Sequence, residues 1–324
     1  MFFPFSTVII CSRNGGKYIY EQLKSIQNQT IAINCIKVFD FNSSDNTVDE
    51  VQRFSSELIS NQSSILFRLY RFSDANGVNS SFYTALMSLG PIIKPDELFY
   101  FCDQDDVWLP KKHESILQEI KHYNLFTELL LLHHDVVVVD ANLNLIRSSY
   151  YDKSQRLLLQ YERPSCLYFG TCIGHTMCIS GNAVQLLRHS RFNEDVFMYD
   201  WFWSSLIEQL GKRHFIPIAL SKYRQHGQNL IGAFSAKRNF LQQLVNFFKI
   251  KYLLARQINL VILQKRATFA QRNVDASDRR GESEFTIFIS SLKMAFLTRN
   301  LKLIFSIFTI GIILVFNKKS TNFL

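Results

Sequence analysis

Three carboxylates within four residues, Asp103-Gln104-Asp105-Asp106, directly follow the apolar run Leu98–Cys102. Carboxylates this close repel one another unless solvent or a cation separates them. In a D-x-D arrangement the first and third acids can converge on one hard divalent ion, and such an ion neutralises a diphosphate. The bland alternative is an N-cap cluster ahead of Leu109-Pro110-Lys111. A cap needs one acid rather than three, and Trp108 with Pro110 fixes the loop geometry. Asp200, ahead of Trp201-Phe202-Trp203, reads equally as a helix N-cap, and His226 by itself is an ordinary loop histidine. The neighbours His133, His134 and Asp135 fall in one expected strand, where successive side chains point to opposite faces, so they cannot all bind one ion.

These groups have to be positioned by an alternating series of elements. Thr7–Cys11 is a β-branched run suited to a strand buried on both faces, broken at Arg13-Asn14-Gly15-Gly16. Lys17–Gln29 carries Ile19, Leu23 and Ile26 at helical spacing. Ile36–Phe41, Ile65–Tyr70 and Leu98–Cys102 read as further strands, with helices at Thr47–Ile59 and Ser80–Leu89 and a turn at Asn76-Gly77. Strands alternating with helices of about 10 residues predict an α/β fold with a mostly parallel sheet. Ligands of such sheets bind at the carboxyl ends of strands. Ser12-Arg13-Asn14, Asn42-Ser43 and Asp103–Asp106 all fall there and are expected to share one cleft. Later elements are less regular: a loop over residues 150–165, helices at Ala183–His189 and Asp200–Leu210, a strand at Phe215–Leu220 and a loop at Tyr223–Asn229.

The stretches VIICSRNGG (Val8–Gly16), QNQT (Gln27–Thr30), NSSDNT (Asn42–Thr47), NGVNSSF (Asn76–Phe82) and FCDQDDVWLPKK (Phe101–Lys112) resemble family 2 glycosyltransferases of the GT-A fold, in the family's order. Asp200-Trp201-Phe202-Trp203 and Tyr223-Arg224-Gln225-His226-Gly227-Gln228-Asn229 are similar to its bacterial rhamnosyltransferase-like branch. The resemblance spans roughly residues 6–232. It implies a nucleotide-sugar donor, dTDP- or UDP-linked, a Mg²⁺ or Mn²⁺ ion, and inversion at the anomeric carbon. By position in the family pattern, Asp103, Asp105 and His226 are the implied metal ligands and Asp200 the base that activates the acceptor. Ser12, Asn14, Asp40, Asp103, Asp106, Trp108, Trp201 and His175 form the implied donor-binding set. His175 lies in Gly170–Met177, similar to the family's acceptor-side segment, where it is either a sugar contact or a structural histidine. One departure stands out. The family usually places an acid and a glycine where Phe41 and Asn42 stand, and Asp40, one residue earlier, points to the other side of its strand unless a bulge turns it.

Length and charge bound the rest. The 324 residues suffice for one large domain or one domain with an appendage. With 47% hydrophobic and 19% charged residues the chain is not disordered, and no stretch reaches 18 apolar residues. The six cysteines form no C-x-x-C, so they read as reduced thiols rather than a zinc ribbon. The opening MFFPFSTVIICSRN has no basic segment and reads as a strand, which predicts a cytoplasmic location. Residues from Leu230 onward hold 15 Lys+Arg against 4 Asp+Glu, a net of +11, and the remainder of the chain is at −2. Leu241, Leu244, Val245, Phe248 and Tyr252 form one helical stripe flanked by Lys237, Arg238, Lys249, Lys251 and Arg256. That pattern predicts a basic amphipathic helical extension, residues 233–324, after a catalytic domain of residues 1–232. An anionic membrane surface on the inner face of the cell membrane suits it better than nucleic acid, which favours basic residues over a polar face. Packing of the stripe onto the sheet remains the other reading. Leu303–Phe316, about 21 Å as a helix, either lies in the interface, spans it with tilt, or packs on the protein. The expected acceptor is a lipid-linked or surface polysaccharide of O-antigen or capsule type. A sugar-nucleotide nucleotidyltransferase and a noncatalytic scaffold on a degenerate transferase fold are the competing readings. The first wants a basic glycine-rich phosphate loop that Ser12–Gly16 only partly supplies.

Overall fold

The computed structural model describes residues 3–74, 77–152, 155–156, 159, 165–168, 170, 172–192, 196–227, 240–271, 288–289, 291–293 and 304–312. Asn76 of the expected turn, most of the 153–164 stretch, Gln228-Asn229 and the tail residues Lys237 and Arg238 lie outside them. The chain divides into two compact units. One comprises Met1–Tyr150, Cys172–His189 and Gly211–Ala233; the other comprises Tyr151–Thr171, Ser190–Leu210 and Phe234–Leu324. The sequence reading drew one line after residue 232, whereas here the segment bearing Asp200 groups with the C-terminal residues.

The first unit is a sheet with helices on it. Strands β1 (Ser6–Ser12), β2 (Cys35–Phe41), β3 (Leu66–Phe72), β4 (Leu98–Cys102), β5 (Val107–Trp108), β6 (Leu130–Val139), β7 (Leu145–Arg147), β8 (Cys178–Ser180) and β9 (Lys212–Arg224) run in the order β3-β2-β1-β4-β8-β6-β9-β5, with β7 on β6. The long ladders β1–β2, β1–β4, β2–β3 and β6–β9 are parallel; β8, β5 and β7 join antiparallel. Helices α1 (Ile19–Gln27), α2 (Thr47–Ser60), α3 (Val78–Met87), α4 (Lys112–Ile120) and α5 (Gly181–Arg188) connect them. Periodicity explains the core: Ile19, Leu23 and Ile26 of α1 and Val51, Phe54 and Leu58 of α2 recur at three and four residues. They bury against Val8, Ile10, Ile36 and Val38 from the strands. Gly77 takes φ +91 before α3, a value open to glycine, so that part of the expected turn is in place.

The largest departure from the sequence reading is β9. A strand was expected over Phe215–Leu220 and a loop from Tyr223; instead one strand runs from Lys212 to Arg224. Its ladder with β6 pairs His134 with Ile216 and then Asp135 with Ala219, so Pro217 and Ile218 are bulged out. Proline cannot donate to a ladder, and a bulge is where a strand tolerates it. That bulge breaks the alternation that marks a strand, so the sequence pattern understates its length.

In the second unit, α6 (Tyr199–Leu210) buries Phe202, Trp203, Leu206 and Ile207. The long helix α7 (Phe240–Gln271) buries Leu254, Ala255, Ile258 and Val261. Gln257 Oε1 of α7 accepts hydrogen bonds from the backbone N of Phe197 (2.9 Å) and Met198 (3.2 Å), ahead of α6. One face of α7 is therefore packed in protein. Of the expected stripe, Tyr252 is half exposed, while Leu241, Leu244, Val245 and Phe248 precede the described side chains. Residues 304–312 are helical, with Ile307 and Ile310 fully buried and Phe308 and Ile312 exposed. Among the described residues no helix is long and apolar enough to cross a membrane.

Candidate active site

The strand ends do converge. Ser12 closes β1, and its Oγ donates to Gln104 Oε1 (2.8 Å) in the acidic turn after β4. Gln104 Oε1 also accepts from Arg13 N (2.9 Å), and its Nε2 donates to Arg13 O (3.1 Å). A Cβ at position 15 would lie 2.1 Å from Gln104 Oε1, so Gly15 is what lets the two loops approach. Asn14, at φ +53, links to the loop after β2: its Oδ1 accepts from Ser44 N and its N donates to Ser43 Oγ, both 2.9 Å. Burial opposes ionisation of Asp45, but hydrogen bonds from Thr47 Oγ1, Gly16 N and Thr47 N outweigh it. They hold the Asp45 carboxyl below its usual range.

Asp40 is the register partner of Ser12, so both stand on one face of the sheet. Its carboxylate is 1% exposed and is taken up by Ser43 Oγ and Ser43 N. Phe41 turns the other way and stacks on Phe72, with centroids 5.1 Å apart. Asn42, where the family pattern has glycine, adopts φ +57. Asparagine tolerates that left-handed conformation better than most residues, so the turn survives the substitution.

The acids sort into two groups. Asp103, Asp106 and His175 bring one ligand atom each within 4.8 Å of one another, and they are the one such trio among the described residues. His175 Nδ1 lies 2.9 Å from Asp106 Oδ2 and 3.6 Å from Asp103 Oδ2. Asp105 instead faces His226, with Nε2 2.7 Å from Oδ2. The sequence-expected ligand set of Asp103, Asp105 and His226 is thus split. Asp106 and His175, read beforehand as donor contacts, take the places beside Asp103.

His175 is fully buried in the turn Gly174–Thr176. Burial opposes its charge, but the Asp106 carboxylate beside it, with Asp103, outweighs burial and raises its pKa to about 9. Its carbonyl accepts from Lys112 Nζ at 2.9 Å. That lysine is itself 0% exposed, sits 4.0 Å above the Trp108 ring, and is pulled down by burial to about 8. Trp108 is a core residue, packed on Tyr100, rather than a surface for a ligand. Asp106 Oδ1 accepts from Arg224 N at 3.0 Å. Arg224 and Lys112 are the residues the sequence reading passed over; each stands inside or beside a quoted motif.

Asp200 and Trp201 belong to the second unit. Asp200 lies in the first turn of α6, its Oδ1 accepting from Trp201 N at 2.7 Å. The Trp201 ring packs on Gly170, where a Cβ would come within 2.9 Å of Cε3.

The mostly parallel α/β sheet with an acidic turn at a central strand end has the GT-A fold, which solved structures share. The structure of S. aureus TarS 1-349 in complex with UDP-GlcNAc is similar with TM-score 0.53 and 12% identity, covering 97% of this chain and 92% of that one. Mannosyltransferase PcManGT from Pyrobaculum calidifontis, in complex with GDP-Man and Mn²⁺, gives 0.54 and 12%, covering 98% and 89%. An uncharacterized glycosyltransferase of Haemophilus influenzae is 25% identical over 283 residues, 85% of this chain and 83% of that protein. The dTDP-rhamnosyl transferase RfbG of Shigella flexneri is 24% identical over 225 residues, 68% and 72%. Residues 7–127 match the model of glycosyl transferase family 2.

Proposed function

We propose that this chain is an inverting glycosyltransferase that moves a sugar from a nucleoside diphosphate to a hydroxyl of a lipid-linked or surface glycan. The trio Asp103, Asp106 and His175 carries the reading; its two acids follow β4 within the segment that matches family 2. Two carboxylate oxygens and an imidazole nitrogen form a donor set suited to Mn²⁺, and to Mg²⁺ with added waters. When bound, such an ion would offset the charge of the donor diphosphate. Asp105 and His226, paired at 2.7 Å, are proposed as further polar contacts of the donor diphosphate. The likeness to a dTDP-rhamnosyl transferase supports dTDP-rhamnose as donor, and neighbours that hold UDP-GlcNAc keep UDP-sugars in view.

Asp200 is the proposed base. Its carboxylate takes the acceptor hydroxyl proton as that oxygen bonds the anomeric carbon, and the bond from that carbon to the diphosphate oxygen breaks. One displacement inverts the configuration, and no covalent nucleophile is needed. The excess of 15 basic over 4 acidic residues after Leu230, with Tyr252, Phe308 and Ile312 exposed, supports attachment to an anionic leaflet where a lipid-linked acceptor is confined. Vesicle binding that weakens with salt is expected of it.

The test is product analysis of the full chain with radiolabelled nucleotide sugars and lipid-linked acceptor. Label passing to the acceptor with inverted configuration is expected. Pyrophosphate release, or no turnover with any donor, overturns the reading.

A further inference from the structure

Asp105 and His226 are 121 positions apart in the chain and meet at 2.7 Å. Something must hold both loops. The antiparallel β5–β9 ladder brings them near but ends with Val107 opposite Lys222, before either residue. Arg224 begins where the ladder stops. Its backbone N donates to Asp106 Oδ1 (3.0 Å), its Nε to Asp105 O (2.7 Å), and its Nη1 to Ala141 O (2.8 Å) in the β6–β7 turn; Nη2 pairs with Glu21 of α1. The guanidinium also lies 4.5 Å from the centroid of Tyr18, and the Tyr18 ring stacks on His226 at 5.0 Å. Asp105 and Tyr18, which both meet the His226 ring, are thus held by one buried side chain.

We infer that Arg224 is a positioning residue: it sets the Asp105–His226 pair by fixing the Asp105 main chain on one side and the Tyr18 ring on the other. The planar fork matters, because three nitrogens serve three separate partners while the flat face meets the ring. Lysine at this place has the charge but one nitrogen, and it can keep at most part of the arrangement. The inference rests on the proposed function only for its catalytic consequence; the clamp itself is a property of the metal-free protein.

Two measurements test it in the full chain. Amide hydrogen exchange of wild type and Arg224→Lys, without metal or nucleotide, reads the clamp. Exchange at least 10-fold faster in residues 103–108 and 225–227, with strands β1 and β2 unchanged, is expected. Unchanged protection there, or uniform loosening of the whole unit, overturns the inference. Turnover with a nucleotide-sugar donor reads the consequence. Arg224→Lys and Tyr18→Ala should each lower kcat about 10²-fold per folded molecule. The double variant should be little worse than either, since both act through His226. Multiplying losses, or near-normal kcat in Arg224→Lys, also overturns it. A wild type inactive with every donor, yet showing the Arg224-dependent protection, defeats the proposed function and leaves the clamp standing.

Discussion

His133, His134 and His175 are all fully buried in the same unit, each near an aspartate, yet their environments push them in opposite directions. His133 and His134 sit in the middle of β6. Burial forces both well below the ordinary imidazole value, and cations deepen the effect, Arg213 at His133 and Lys112 at His134. Their neighbour Asp135 gives them no counter-charge: its carboxylate is engaged by Val136 N, Ser149 Oγ and Tyr150 N. His175 stands beyond a strand end, where Asp106 can point at it, and its pKa rises to about 9. A histidine beside an aspartate in sequence is therefore no sign of a site. A histidine that a distant aspartate reaches across a strand end is one.

The comparison breaks most visibly at Asp106. Replacing it with asparagine leaves the buried His175 without its main counter-charge, and losing one partner of a buried pair costs about 3–5 kcal/mol. Asp106→Asn should lower the denaturation midpoint by that measure and abolish metal-dependent nucleotide binding, whereas a surface-like loss below about 1 kcal/mol would remove Asp106 from the account. Next comes pH. His175 is raised above its unfolded value near 6.5, so its contribution is complete below that pH and is lost as pH climbs through about 9. The span corresponds to about 3 kcal/mol, offset in part above about pH 8 by buried Lys112, whose depressed value works in the opposite sense, and urea midpoints of metal-free protein from pH 6.5 to 9.5 read the sum. His133 and His134 are depressed, so their effect has the opposite sense: stability falls as pH drops below about 6.5. Loss on the alkaline side should shrink in Asp106→Asn, which leaves Asp103 beside His175, while the acid-side loss persists. The smallest effect belongs to His134→Gln. A buried hydrogen-bonding change of about 1–3 kcal/mol should appear in stability, with turnover per folded molecule unchanged. A large fall in kcat there would erase the distinction between the two sets.

The half of the fold from β1 to β4 was legible because β1, β2 and β4 are short apolar runs buried on both faces, and each loop carries its own turn residues. The acidic turn was legible for the same reason, since it ends the last of those runs. What escaped was set by pairing across the chain. Val107-Trp108 is too short to show as a strand, and it exists because Lys222 and Ser221 lie opposite. The sorting of Asp103 and Asp106 to His175, and of Asp105 to His226, depends on where the Gly174–Thr176 turn and the end of β9 arrive, and no local spacing encodes that. The signal for Lys112 was present: two lysines follow Pro110 and one, Lys112, heads a helix whose buried face includes His113 and Ile116.

The central claim is that Asp103, Asp106 and His175 together take a divalent ion with the donor diphosphate. Calorimetric titration of the wild-type chain with dTDP or UDP, with and without Mn²⁺, from pH 6.5 to 9 tests it most directly. Coordination requires His175 to release the proton it holds up to about pH 9. The account predicts nucleotide binding only with Mn²⁺, with an apparent affinity that rises toward tenfold per pH unit over that range. Binding that needs no metal, or metal-dependent binding that stays level with pH, would contradict it.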